Sequence, residues 1–166
     1  MRSPRRRARE FALQGLYQWQ MTGASAAAIR RDLAELEGYA AADEAFLEAE
    51  LSGVIGEAEG LQSLLEPLAD RKWGEVSPVE KAILLMGAWE IAHAPEMPYR
   101  VSINEAIELA KRFGGTDGHK YVNGILDRVA LALRPDEVAA GRTAERKPRQ
   151  AAKPRARPAA PKKAEA

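Results

Sequence analysis

Glu90 and His93 stand three residues apart in a segment of helical periodicity, "AWEIAH". That spacing puts a carboxylate and an imidazole on one helix face and forms half of a di-iron bundle site. The other half has no counterpart, because the chain holds two histidines, His93 and His119, and no cysteine. His93 is therefore read as a helix-end histidine beside the negative end of the dipole, and no metal is expected. His119, next to Lys120 and Tyr121, has the chemistry of a general acid. No nucleophile or paired base can be placed beside it, so a solvated residue at a helix start is the better reading. "FGGTDG" is glycine-rich, but no strand precedes it and its spacing fits no phosphate loop, so it reads as a helix stop. The expectation is a protein that is not an enzyme and carries no cofactor.

The chemistry that remains is cationic. In "MRSPRRRARE" Ser3 reads as a helix N-cap and Pro4 as the first helical residue. Arg2, Arg5, Arg6 and Arg9 follow at spacings of three or four along one stripe, and Arg7 flanks it. A helix N-terminus is already the positive end of the dipole, so each exposed cation there costs roughly 0.3–1 kcal/mol. An anionic partner relieves that cost. Guanidinium forks bind phosphate bidentately and stack on bases. The bland alternative is a solvated basic helix start. RNA is preferred over duplex DNA, since no helix-turn-helix or finger pattern supplies a reading helix. A helical dimerisation or scaffold protein without any RNA role is the competing reading from a different class.

Charge is segregated along the chain. The net charge of +1 over 166 residues divides into +5 at residues 1–9, −11 at 10–141 and +7 at 142–166. The last segment, rich in Ala, Pro, Lys and Arg, lacks the apolar residues to offset its ordering entropy, and Pro135 and Gly141 mark the exit from folded structure. Residues 135–166 are thus expected to be a disordered basic tail. The apolar run "AILLMGAW" is far shorter than the ~20 residues that span a bilayer. The protein is expected to be cytoplasmic, with no membrane partner.

Elements of helical period must hold these groups, and no stretch alternates like a strand. The spacing predicts a first helix from about Pro4 to Met21, with Ala8, Phe11, Ala12, Leu16 and Trp19 inward and Tyr17 off the stripe. Ser25 caps a second helix reaching about Leu36. Asp43 caps a third that extends to Leu65, in which Gly53, Gly56 and Gly60 let another helix approach closely. Ser77, Pro78 and Glu80 form a capping box, opening a broadly apolar and hence central helix. Ser102 and Glu105 repeat the device. Thr116 or Asp117 starts the last helix. The fold class is all-α, a bundle of six or seven helices in two three-helix-type halves at about residues 1–70 and 71–134.

"RRRAREFALQGLYQWQ", "VSPVEKAILLMGAWEI" and "MPYRVSINEAIELAKRFGGTDGHKYVNGILDRVA" resemble, in order, the bacterial NusB family of transcription antitermination factors. The resemblance covers about Arg5 to Arg134. It implies a body of two three-helix halves that binds boxA-type single-stranded RNA with the small ribosomal-subunit protein NusE. The pair then joins the elongating RNA polymerase complex, chiefly on ribosomal RNA operons, without catalysis. The family's arginine motif falls on Arg5, Arg6, Arg7 and Arg9, and its second RNA-binding segment on His119, Lys120 and Tyr121. Tyr121 stands where phenylalanine is frequent, and its null role is a core aromatic. The protein partner's side falls near Tyr17, Glu80 and Asp117. Relatives are monomers or homodimers. NusB-like folds also form the front domain of some ribosomal-RNA cytosine methyltransferases, but 166 residues leave no room for the methyl-transfer domain.

Overall fold

The computed structural model describes residues 2–146. Eight α-helices make up the described chain: α1 Pro4–Thr22, α2 Ala26–Ala34, α3 Glu44–Gly56, α4 Ala58–Leu65, α5 Pro78–His93, α6 Tyr99–Phe113, α7 Gly118–Leu133 and α8 Pro135–Arg146. Short 3₁₀ turns lie at Tyr39–Ala41, Glu66–Leu68 and Trp73–Glu75, and there is no strand among the described residues.

The caps act where the sequence places them at four starts. The side chains of Ser3, Ser25, Asp43 and Ser77 accept hydrogen bonds from the backbone N–H groups of Arg6, Ala28, Phe46 and Glu80. The Ser77 hydroxyl also donates to the Glu80 carboxylate at 2.9 Å, a side-chain bond where a full capping box would use the Ser77 backbone N–H. Helix α5 is apolar nearly all round, with Ala82 to Ala88 continuously buried. Such a helix belongs at the centre. It packs against α1, α3, α4, α6 and α7, so a single hydrophobic cluster runs from Ala8 to Val138 through both halves.

Three expectations are corrected. The long third helix is two, α3 and α4, because Glu57 leaves helical geometry at φ −114°, ψ 14°. Ser102 is not a cap: α6 begins at Tyr99 behind Pro98, and Ser102 is buried inside it, donating to Glu90. Residues 135–146 are not a tail but helix α8, which brings the count to eight rather than six or seven. Pro135 starts it, and Asp136 and Glu137 suit its positive end. The Glu137 carboxylate accepts the Tyr99 N–H at 3.0 Å, and Val138 is buried. Arg134, between α7 and α8, donates to the carbonyls of Ile91, Ala94 and Met97 at 2.9, 2.8 and 2.6 Å, satisfying the otherwise open end of α5. The rest of the expected tail, 147–166, lies outside the described residues.

One of the three glycines expected to admit a neighbouring helix does so. A Cβ on Gly53 would sit 2.3 Å from Trp89 Nε1, so α3 meets α5 across a missing side chain. Gly56 and Gly60 face open space. Gly53→Ala should therefore destabilise the fold by about 1–3 kcal/mol through overpacking. Gly60→Ala, inside α4, should stabilise it by up to about 1 kcal/mol. Paired thermal melts of the two variants check the opposite signs.

Candidate nucleic-acid interface

The start of α1 is held against two neighbours. The Asp43 N–H donates to the Pro4 carbonyl at 2.9 Å, tying it to the start of α3. Arg9 ties it to α5 and α6. Its side chain is only 4% exposed, and its guanidinium grips Glu90 with two edges: Nη2 to Oε1 at 2.6 Å and Nε to Oε2 at 3.1 Å. Its Nη1 lies 3.8 Å from Glu105, and Phe46 of α3 stacks beneath it at 4.9 Å. Ser102 donates a further hydrogen bond to Glu90. Arg9 was expected to bind RNA. The structure withdraws it: helical spacing puts Arg9 on the stripe with Arg2, Arg5 and Arg6, but one turn further along that stripe turns under the edge of α6.

The other arginines remain outward. Arg5 is half exposed, stacks on the same Phe46 ring at 4.7 Å and lies 3.9 Å from Asp43. Arg6 is half exposed and donates Nε–H to Glu105 at 3.1 Å. Arg7 makes no ion pair among the described residues and lines a cleft of about 520 Å³ with Arg2, Glu10, Phe11, Tyr17 and Phe113. Arg2 pairs with Glu10, which also receives Arg112 of α6 at 2.5 Å. A second hollow of about 310 Å³ between α1 and α6 is lined by Arg2, Arg6, Glu105, Lys111 and Arg112. Sequence reading missed Lys111 and Arg112, which look from sequence like ordinary dipole-complementing residues at a helix end.

The second expected segment opens α7, four residues after α6 ends. Lys120 is exposed and sits 3.3 Å from Asp117. His119 is partly exposed. Tyr121 is half core: its hydroxyl is buried without a hydrogen-bonding partner, which raises its pKa through burial. The Arg71 guanidinium covers its ring at 4.4 Å. Arg71, in an irregular connection, carried no sequence signal. His93, as expected, ends its helix, with Nε2 2.5 Å from Glu57.

The three residues expected to face a protein partner separate. Tyr17 is 44% exposed on the larger cleft, beside the equally exposed Phe113. Asp117 is exposed and is the one described non-glycine residue with positive φ, at 62°. Glu80 is buried, bonded to Ser77 and pressed against the start of α7, where a Cβ on Gly118 would meet its Oε1 at 2.2 Å. Its carboxylate is spent inside the chain, so it joins α5 to α7 rather than facing outward.

Beneath Arg9 lies Glu50 of α3, fully buried, with neither carboxyl oxygen hydrogen-bonded. Burial raises its pKa well above the usual carboxylate range, and the charge of Glu90 raises it further. Its surroundings favour the neutral form.

Fold and surface together define an all-helical protein whose buried ion pair presents a cationic helix start. The NusB family pattern matches residues 6–131. The chain is 56% identical to the transcription antitermination protein NusB of Dechloromonas aromatica over 87% of its length and 89% of that protein's. It is 50% identical to that of Thiobacillus denitrificans, over 83% and 95%. A solved NusB of T. maritima superposes with a TM-score of 0.71 at 26% identity, over 84% of this chain and 99% of that one. A second solved structure, described as antitermination factors NusB and NusE in complex with double-stranded RNA, has a TM-score of 0.68 at 19% identity, over 76% and 96%. The chain belongs to the NusB family of transcription antitermination factors.

Arg9→Ala should cost about 3–5 kcal/mol, because it strands a buried carboxylate, whereas Arg7→Ala should leave the melting temperature nearly unchanged. The neutral Glu50 makes a signed prediction. Below its unfolded pKa of about 4.3 both states hold the proton; above it the unfolded chain releases a proton that the folded chain keeps. Stability should fall as pH rises from that value toward the raised folded pKa. Glu50→Gln should flatten this decline, as measured by urea unfolding across pH.

Proposed function

We propose that this protein binds a single-stranded RNA of boxA type across the start of α1 and the start of α7. We further propose that it does so together with the ribosomal protein NusE, joining the elongating RNA polymerase, chiefly on ribosomal RNA operons. The observation that carries this is the outward set Arg5, Arg6 and Arg7, with Arg2 beside them, held at a helix start by a ninth-position arginine locked into the core. Cations so placed oppose the helix dipole, and a phosphate strand removes the conflict. Lys120 and His119 extend the positive edge at α7. Tyr121 offers a base the part of its ring that Arg71 leaves open, or Arg71 itself as a stacking plane.

The larger cleft suits a protein partner. Tyr17 and Phe113 supply exposed rings flanked by Arg7 and Glu10. Aromatic anchors with a charged rim are the composition of an interface centre. The acidic body, −11 over residues 10–141, favours a basic protein in encounter. Tyr17 and Asp117 are retained as partner-facing residues, and Glu80 acts only through the packing of α5 on α7. The NusB–NusE complex described with double-stranded RNA supports an RNA and NusE partnership for the family and makes a duplex the natural competitor probe.

The test is titration of a short labelled boxA strand, and of its duplex, with and without NusE, across salt concentrations. Three arginine–phosphate contacts from Arg5, Arg6 and Arg7 should contribute a log–log salt slope of about −2 for a single strand. Arg6→Ala with Arg7→Ala should weaken binding several-fold and reduce that slope. Tyr121→Ala should cost roughly 1–3 kcal/mol of affinity. Binding that ignores all three changes would reject the interface; tighter binding of the duplex would move the reading to double-stranded RNA.

A further inference from the structure

Most of the arginines offered to RNA are paired in this structure, and the groups that hold them are carboxylates on the same face. Resting on the RNA-binding reading, we propose that Glu105 and Glu10 are built-in competitors of the RNA phosphate, which hold down the affinity of the interface for any polyanion.

The geometry is specific. Glu105, on α6, is one-sixth exposed; its Oε1 takes the Nε–H of Arg6 at 3.1 Å, while its Oε2 faces Arg9 at 3.8 Å. Arg9 is already saturated by Glu90, so Glu105 is held in place from below and presents itself to Arg6 from the side. Glu10, one-fifth exposed, lies between Arg2 and Arg112 and pairs with both. Arg6, Arg2 and Arg112 all reach the hollow between α1 and α6, with Lys111 on its rim. That hollow has room for a phosphate group, and its cations are otherwise engaged.

A guanidinium binds phosphate best through two parallel N–H bonds. For Arg6 the Nε edge is occupied by Glu105. A phosphate taking that edge must displace the carboxylate, and one taken at the Nη1–Nη2 edge shares the guanidinium with it. The exchange nearly balances charge for charge, so a single phosphate gains little from it. A strand that places several phosphates and a stacked base at once gains from all of them, and it alone makes the exchange favourable. Arg7, which has no ion pair among the described residues, is the point of first contact. Weakening the phosphate contacts takes the same free energy from every strand that makes them, so it lowers affinity and leaves the preference between strands to the contacts with bases, such as stacking at Tyr121.

The experiment titrates full-length protein, at one low salt concentration, with the boxA single strand and with an unrelated single strand of equal length. Glu105→Gln and Glu10→Gln each keep the size of the side chain and remove the charge. Each should tighten binding of both strands by a similar factor, about two- to fivefold, the worth of a partly exposed ion pair. In an Arg6→Ala background the effect of Glu105→Gln should vanish, while that of Glu10→Gln should persist. Unchanged or weaker binding by both glutamine variants, with Arg6→Ala still weakening binding in the parent, overturns the competitor role and leaves the RNA interface standing. Failure of the parent to bind either strand overturns the interface itself. Melting curves accompany each variant. Glu10, whose side chain pairs with Arg2 and Arg112 and not with Arg9, carries the test if Glu105→Gln loosens the core.

Discussion

The buried ion pair between Arg9 and Glu90 fixes the relation of the first helix to the rest of the molecule. Taking both charges out of water is costly, and the two-edged grip at 2.6 and 3.1 Å, with Ser102 adding a bond to Glu90, offsets that cost. Its value lies in direction more than in stability. An apolar contact would let α1 slide or roll; a bidentate pair sets one rotation of that helix against α5. That rotation turns Arg5, Arg6 and Arg7 outward and puts Ala8 and Phe11 in the core. The neutral Glu50 below keeps a further negative charge out of the cluster. Were it ionised, three carboxylates would crowd one guanidinium.

The same helix start shows how a protein manages charges that only a ligand fully satisfies. Acidic groups come from separate elements: Asp43 from the start of α3, Glu105 from α6 and Glu10 from α1 itself. They quiet the field of the arginines without burying them, because each of these arginines stays about half exposed. The pairs are worth little individually in water. Together they explain how the helix persists without a bound anion. They also explain why a basic face belongs to a body that is otherwise acidic.

The two halves share one core because α5 is apolar nearly all round. Apolar positions at every turn leave such a helix no way to meet solvent, so α1 to α4 and α6 to α8 must all close around it or its neighbours. Gly53 and Gly87 permit close approaches to α5 and α7, where Trp89 and Leu126 fill the space a Cβ would take. The nucleic-acid face sits at the edge of this construction, where α1 and α6 meet and the turn into α7 begins.

The amino-acid sequence by itself determined the helical class, the caps at Ser3, Ser25, Asp43 and Ser77, the central place of α5 and the cationic opening. These follow from short-range rules: periodicity, capping chemistry and the clustering of like charge. Tertiary structure alone decided what each charged residue does. Arg5, Arg6, Arg7 and Arg9 are chemically identical and close in sequence, yet two are exposed, Arg7 is partly buried at a cleft and Arg9 is locked in the core, because Glu90 arrives from 81 residues away. Ser77 and Ser102 carry equally good capping spacing. Only Ser77 caps, since Pro98 starts α6 earlier and carries Ser102 inside. Helix α8 escaped notice because its segment is poor in apolar residues; Val138 and the Glu137 bond to Tyr99 hold it down. Contacts between distant segments leave no local pattern, and they decide which side chains are anchors and which are free to meet a partner.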